Sequence, residues 1–241
     1  MLKDHEDAYG RAAYDHFMGK PACEIVERDD GWIAPSGGPA GYLSEFGSWP
    51  PRQKEAMRYA KGRVLDIGCG AGRHSLHLQQ KDHDVLGIDV SPAMIKVCKL
   101  RGLKDARVLA ATRIGPALGK FDTILMLGNN FGLFGSRKRA RWLLGRLSDI
   151  TNAGARLIAE SRDPYQTDVP EHLDYHRRNL KRGRMAGQLR IRIRYGRRKT
   201  PWQDYLLVSR DEMEELLEGT GWAVKRFLDG GAEYVAIVEK E

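Results

Sequence analysis

The chain has 241 residues, 41% hydrophobic and 30% charged, which suits one well-buried domain and excludes a disordered polymer. Its net charge of +8 is concentrated: residues 177–199 hold eleven Lys or Arg and no acid, against 29 basic and 32 acidic residues elsewhere. No apolar run approaches the roughly 18 residues of a membrane span. The opening MLKDHEDAYGRAAYDHF carries early acids and no apolar core, so no secretory leader is expected. Cys23, Cys69 and Cys98 form no CxxC pair, and reduced thiols in a cytoplasmic protein are the simplest reading.

In chain order, residues 5–18 are helix-compatible, with Tyr9, Ala13, Phe17 and Met18 able to share a face. CEIVERDDGWIAPS carries a DDG turn between short apolar runs and predicts a hairpin, and PPRQKEAMRYAKG a short helix opened by proline. Residues 1–60 read as a front extension, and 61–241 as the main domain. From Arg63 a strand–turn–helix rhythm sets in. RVLDIG, DVLGIDV, ARVLAA, FDTILMLG and ARLIAES are expected strands; GRHSLHLQQK, SPAMIKVCKLRG and SRKRARWLLGRLSDI are the helices among them. The last should turn Trp142, Leu143, Leu147 and Ile150 to the core. Such alternation implies a largely parallel sheet covered on both faces.

After Ser161 the rhythm breaks, and residues 164–208 read as an insert. DPYQTDVPEHLDYH looks polar and irregular. QLRIRIRYG alternates Leu189, Ile191, Ile193 and Tyr195 with Arg190, Arg192 and Arg194, an exposed or edge strand with one buried face. WQDYLLVS is placed to pair with it. SRDEMEELLEGTGW opens with a capping box from Ser209 and Glu212, and WAVKRFL and YVAIVEK close the chain as strands.

The chemistry centres on VLDIGCGAGRHSLHL, residues 64–78. A strand that ends in glycines and opens a helix lets a ligand touch bare backbone near free N–H groups. The dinucleotide fingerprint GxGxxG is absent, because Gly68, Gly70 and Gly72 give GxGxG with Arg73 in sixth place; GK[ST] is absent too. Asp66, two residues before the first glycine, disfavours a phosphate and suits a ligand with positive charge. Asp89 ends the next strand, in GIDVS. A plain tight turn is the alternative reading of the glycines.

DIGCGAG, GIDVS followed by SPAMI, FDTILML and the terminal helix–strand run resemble the class I S-adenosylmethionine-dependent methyltransferases over roughly residues 60–161 and 205–240. The resemblance implies a doubly wound, seven-stranded, mostly parallel α/β sheet, with an N-terminal lid and a β-hairpin insert before the last helix. It implies that Gly68, Cys69 and Gly70 line the methionine and sugar of S-adenosylmethionine, with Gly72 beside them. Asp66 would hold the ammonium end, Asp89 the ribose hydroxyls, and Val90 the adenine, with Leu127 completing the cofactor site and S-adenosylhomocysteine as product. Many members carry an acid after the third strand; LAATRI has none, leaving backbone or hydroxyl contacts from Ala111 or Thr112.

Methyl transfer needs a lone pair held behind the methyl carbon and water excluded, so a base is needed only where the attacking atom must first lose a proton. After the fourth strand, LGNNFGLFGS offers Asn129 and Asn130 as weak catalytic candidates and Phe131 and Phe134 as an acceptor wall; Asn130 could equally cap the next helix. NNFG lacks the prolines of an amino-adenine tetrad. Glu160 could orient an acceptor or pair with an arginine. No metal is expected, because the companion acid of catechol-type members is asparagine here. His74 reads as a possible base but more simply as an exposed helix histidine, and His172 and His176 as surface residues. Tyr14 and Trp49 are lid candidates among front aromatics that also cover the sheet. A small-molecule O or N acceptor is favoured over RNA bound by the arginine segment, and over a non-catalytic cofactor-binding protein. A monomer or homodimer without membrane contact is expected.

Overall fold

Why the central strands lie where they do follows from their lack of alternation. Val64–Ile67 (β3) is buried at every position and Val85–Asp89 (β4) at all but its last, as strands covered on both faces must be. The computed structural model describes residues 1–241. Preceding them are α1 (Ala8–Phe17), β1 (Ile25–Arg28), β2 (Ile33–Pro35), α2 (Pro39–Leu43) and α3 (Pro51–Ala56). After β3 come α4 (Arg73–Gln79), β4, α5 (Pro92–Leu100), β5 (Asp105–Val108), β6 (Phe121–Met126), α6 (Arg137–Asp149) and β7 (Thr151–Arg162). The chain finishes with α7 (Pro170–Lys181), β8 (Gln188–Tyr195), β9 (Arg198–Lys199), β10 (Gln203–Leu206), α8 (Arg210–Leu217), β11 (Trp222–Gly230) and β12 (Glu233–Lys240).

Seven strands take the order β11-β12-β7-β6-β3-β4-β5, and a second sheet the order β10-β8-β1-β2 with β9 on β8. The β3–β4, β4–β5 and β6–β7 pairs are parallel; β12 runs antiparallel to β7 and β11. This is the expected mixed α/β methyltransferase-type sheet.

Two compact units divide the chain. The first comprises Met1–Trp49, Val64–Arg113 and Ile191–Gln203; the extension 1–60 is thus shared between units. Within it, Ser91 caps α5 by accepting from the Met94 N–H, with Pro92 in the first turn. β1 and β2 form the expected hairpin, and β1 pairs antiparallel with β8. That pairing corrects the edge-strand expectation: β8 is interior to its sheet. Arg192 stands opposite Glu27 on β1 and makes two hydrogen bonds to its carboxylate, which neutralises charge in mid-sheet. The face that α1 buries is made chiefly of small residues. Phe17 and Met18 are exposed, whereas Ala8, Ala12 and Ala13 are buried, because α1 packs closely against α5 through small residues.

The second unit comprises Pro50–Arg63, Ile114–Arg190 and Asp204–Glu241. Ser136 caps α6, and Ser209 with Glu212 makes the capping box of α8. Leu143, Leu147 and Ile150 are buried, but Trp142 is exposed, its ring covered only by the Arg146 guanidinium at 5.2 Å. The stretch expected to be irregular contains α7, three turns opened by Pro170. Its buried face holds Tyr175, His176 and Asn179, so His176 is not the surface residue expected. The Asn179 amide donates to the carbonyls of Ala186 and Gln188 and fixes the chain entering β8.

Candidate functional site

The first unit holds the glycine loop. Gly68 and Cys69 donate their N–H groups to the Ile88 carbonyl, which closes the loop onto β4. Gly70 is left-handed (φ 55°) with nothing within 4 Å of where a Cβ would stand, so its backbone faces open space. Gly72 is left-handed too (φ 81°), and a Cβ there would come within 3.1 Å of Cys98 Sγ. Cys69 and Cys98 are both buried, sulfur to sulfur at 4.0 Å.

Two carboxylates flank this loop. Asp66, on β3, is 2% exposed and accepts the Ser75 hydroxyl at 2.6 Å. Burial pushes its pKa up to about 7, opposed by the Ser75 hydrogen bond and reinforced by the Asp89 charge. Asp89, at the carboxyl end of β4, accepts from Gly70 N at 3.1 Å and Ser91 N at 2.9 Å. Burial lifts it to about 6 against those amides. Each Asp89 oxygen retains a lone pair beyond its backbone partner. Val90, next in the chain, is 37% exposed, and Ala111 opens a 3-10 turn after β5. An open glycine backbone beside a fixed carboxylate, with a second carboxylate four residues upstream, fits a ligand bearing both a cationic group and a diol.

The remaining first-unit candidates are packed. His74 is buried, not exposed as expected: it meets Trp49 edge-to-face at 4.6 Å, and burial holds its pKa well below the usual histidine range. The Trp49 indole donates to the Ser44 carbonyl, and Arg73 lies over its ring. Tyr14 accepts from Lys96 Nζ, whose ammonium also sits 4.5 Å from the ring centre.

In the second unit, Glu160 of β7 is 1% exposed and both its oxygens are taken. Arg52 Nε donates to Oε1 at 2.8 Å; Gln53 Nε2, at 2.7 Å, and Gly128 N donate to Oε2. Glu160 therefore positions the loop after β6, the arginine-pairing reading made specific. Leu127 is buried. Asn129 is left-handed (φ 61°), its carbonyl accepts the Tyr205 hydroxyl, and its buried Oδ1 has no donor. Asn130 starts a 3-10 turn rather than capping α6, a role Ser136 takes. Phe131 and Phe134 are buried, edge-to-face at 4.8 Å. No group of three or more His, Cys, Asp or Glu side chains is arranged to hold a metal, and no helix is long and apolar enough to cross a membrane.

Arg52, Gln53 and a buried Glu24 escaped the sequence reading. Arg52 and Gln53 look like exposed residues of a short polar helix. Glu24 alone carried a usable signal, as an acid just before an apolar strand.

The profile of the family described as "Methyltransferase domain" matches residues 64–152. A magnesium-protoporphyrin O-methyltransferase of Rhodobacter capsulatus is 35% identical over 69 residues, 27% of this chain and 31% of that protein. A glycine/sarcosine N-methyltransferase of Halorhodospira halochloris is 27% identical over 116 residues, 46% of this chain and 43% of that one. The chain thus spans less than half the length of these curated relatives. A Bacteroides fragilis methyltransferase crystallised with S-adenosyl-L-homocysteine superposes with a TM-score of 0.84 at 23% identity, over 100% of this chain and 97% of that chain.

Proposed function

We propose that this chain is a class I S-adenosylmethionine-dependent methyltransferase and that it methylates an oxygen or nitrogen atom of a small molecule. When bound, S-adenosylmethionine supplies a methyl group made electrophilic by its sulfonium. The observation that carries the reading is the Asp66–Gly70–Asp89 arrangement. In it Asp66 holds the ammonium end, directly or through water. Asp89, fixed by Gly70 N and Ser91 N, accepts the ribose hydroxyls. Gly68, Cys69 and Gly72 shape the turn, and Val90 and Ala111 are the residues this reading assigns to the adenine.

Two of the candidate bases are engaged elsewhere. Glu160 has donors on both oxygens, and His74 is packed against tryptophan. The remaining contribution is orientation and exclusion of water. Relatives named for O-methylation and for N-methylation of small molecules support the acceptor class. The arginine segment supports it as well, because Arg192 and Arg194 pair with Glu27, Arg198 with Asp4 and Arg190 with Asp204. Release of S-adenosylhomocysteine with a broad panel of small alcohols, phenols and amines tests the reading. Turnover on RNA alone would replace it with the polynucleotide alternative, and binding without turnover on any acceptor with a non-catalytic protein.

A further inference from the structure

Ala71 stands between the left-handed Gly70 and Gly72, next to the backbone that faces open space. It is 1% exposed and clusters with Ala13 of α1 and with Met94 and Val97 of α5. Tyr42 and Leu43 of α2, partly buried, pack against the same cluster. The Ala71 carbonyl accepts from Nη1 of Arg101, the C-cap of α5, at 2.7 Å. The other terminal nitrogen of that guanidinium, Nη2, donates to the Leu43 carbonyl at 3.1 Å. One side chain thus joins the glycine loop to the end of α2.

Residues 38–49, which comprise α2 and a 3-10 turn at Phe46–Ser48, depend on contacts of this kind. Backbone hydrogen bonds from Gly41, Ser44, Ser48 and Trp49 all close within the segment, so side chains attach it to the loop. Arg73, the residue after Gly72, supplies a second tie: its Nη1 donates to the Gly41 carbonyl and to Ser44 Oγ, each at 3.2 Å. Phe46 stacks on His77 of α4 at 4.3 Å between ring centres. The front of the chain is fastened beside the other acid. Asp7 accepts from Gly10 N of α1 and from Ala93 N of α5, and Leu2 N donates to the Val90 carbonyl. The start of α1 is thereby stapled to the residues just after Asp89. Gly10 permits the approach, since a Cβ there would overlap Ser91 Oγ and lie 2.9 Å from Ala93 Cβ.

Both acceptors of the Arg101 guanidinium are neutral carbonyls, so what its planar fork supplies is geometry: two segments far apart in sequence, held at one spacing. A ligand that touches Gly70 needs the loop held in its turn. Any segment that holds the loop in that turn is stabilised in return when the ligand binds. We propose that Arg101 is a positioning residue for the cofactor: it couples docking of residues 38–49 to the shape of the glycine loop, so that S-adenosylmethionine and the docked segment hold one another in place. This rests on the methyltransferase reading above. Residues 38–49 contain none of the side chains assigned to the cofactor, so their response to it, and its dependence on Arg101, measure the coupling.

The test is hydrogen–deuterium exchange of the full chain with and without saturating S-adenosylhomocysteine, with calorimetry for affinity. In the wild type the ligand should slow exchange by roughly fivefold or more in peptides covering residues 38–49, as well as in the glycine loop. Arg101→Met keeps most of the apolar stem and removes the donors. It should weaken S-adenosylhomocysteine by roughly tenfold, a usual size for coupling between sites, and abolish the ligand's effect on residues 38–49. Its circular dichroism should be unchanged. Arg101→Lys keeps the charge but has no fork to span two carbonyls, and its affinity should fall between the two. Binding by Arg101→Met within twofold of the wild type overturns the proposal in favour of a purely structural arginine. So does exchange in residues 38–49 that still slows when Arg101→Met is saturated. Wild-type binding that leaves residues 38–49 unprotected overturns it as well, whether or not the variants fold, and spares the methyltransferase reading. Failure of the wild type to bind S-adenosylhomocysteine would instead overturn that reading.

Discussion

Ser75 donates its hydroxyl proton to Asp66 Oδ2 across 2.6 Å, and both side chains are buried. One neutral donor does not offset the loss of water around a carboxylate, which is why Asp66 is lifted from 3.8 to about 7. The folded chain thus holds a proton on Asp66 that the unfolded chain releases near pH 4. Its contribution is present in full below about pH 4 and is lost as pH rises through 7. Urea denaturation of the ligand-free protein should show Asp66→Asn gaining on the wild type between pH 5 and 8, by on the order of 2 kcal/mol. Affinity for S-adenosylhomocysteine should run the other way in the wild type, rising over the same interval as Asp66 and Asp89 ionise. A pH-independent difference between the variants would contradict this account.

Gly10 sets the distance between α1 and α5. Gly10→Ala should cost about 1–3 kcal/mol in urea denaturation, the usual range for overfilling a tight contact. Because α1 is stapled beside Asp89, the same variant should bind S-adenosylhomocysteine more weakly.

Glu160 ties Arg52, Gln53 and the Gly128 amide together. Glu160→Ala leaves a guanidinium with one partner fewer and should destabilise by about 3–5 kcal/mol. Glu160→Gln should keep the pH dependence of turnover on any acceptor found, whereas loss of a pH-rate limb would mark a base.

Glu27 is held below the usual carboxylate range, chiefly by its hydrogen bonds with Arg192. Replacing Arg190, Arg192 and Arg194 with Gln should therefore bring the onset of acid denaturation to higher pH, as the depressed Glu27 returns to its ordinary range. It should leave RNA retention at low salt no different from wild type; a marked, salt-sensitive loss of RNA binding would revive the polynucleotide reading.

The strand–helix rhythm from Arg63 and the pair Asp66 and Asp89 were legible because each is written locally: apolar runs, glycines and an acid at each strand's end. What neighbours decide was not legible. His74 looks like a polar helix residue until Trp49 covers it, and Trp142 fits the core face of α6 but is left outside. Arg192 looks like a solvated charge because Glu27, its partner, is 165 residues away in sequence. Glu160 read as a possible acceptor-orienting group for the same reason, since Arg52 and Gln53 lie over a hundred residues upstream. The α7 helix escaped notice because its buried face is built from Tyr175, His176 and Asn179 rather than an aliphatic stripe.

The central claim is that Asp89, held by Gly70 N and Ser91 N, receives the cofactor's ribose. Calorimetric titration of S-adenosylhomocysteine into the wild type and Asp89→Ala tests it most directly. Micromolar binding by the wild type and at least a hundredfold loss in the variant, with the fold intact by circular dichroism, is the predicted result. Equal affinity in the two proteins would contradict it.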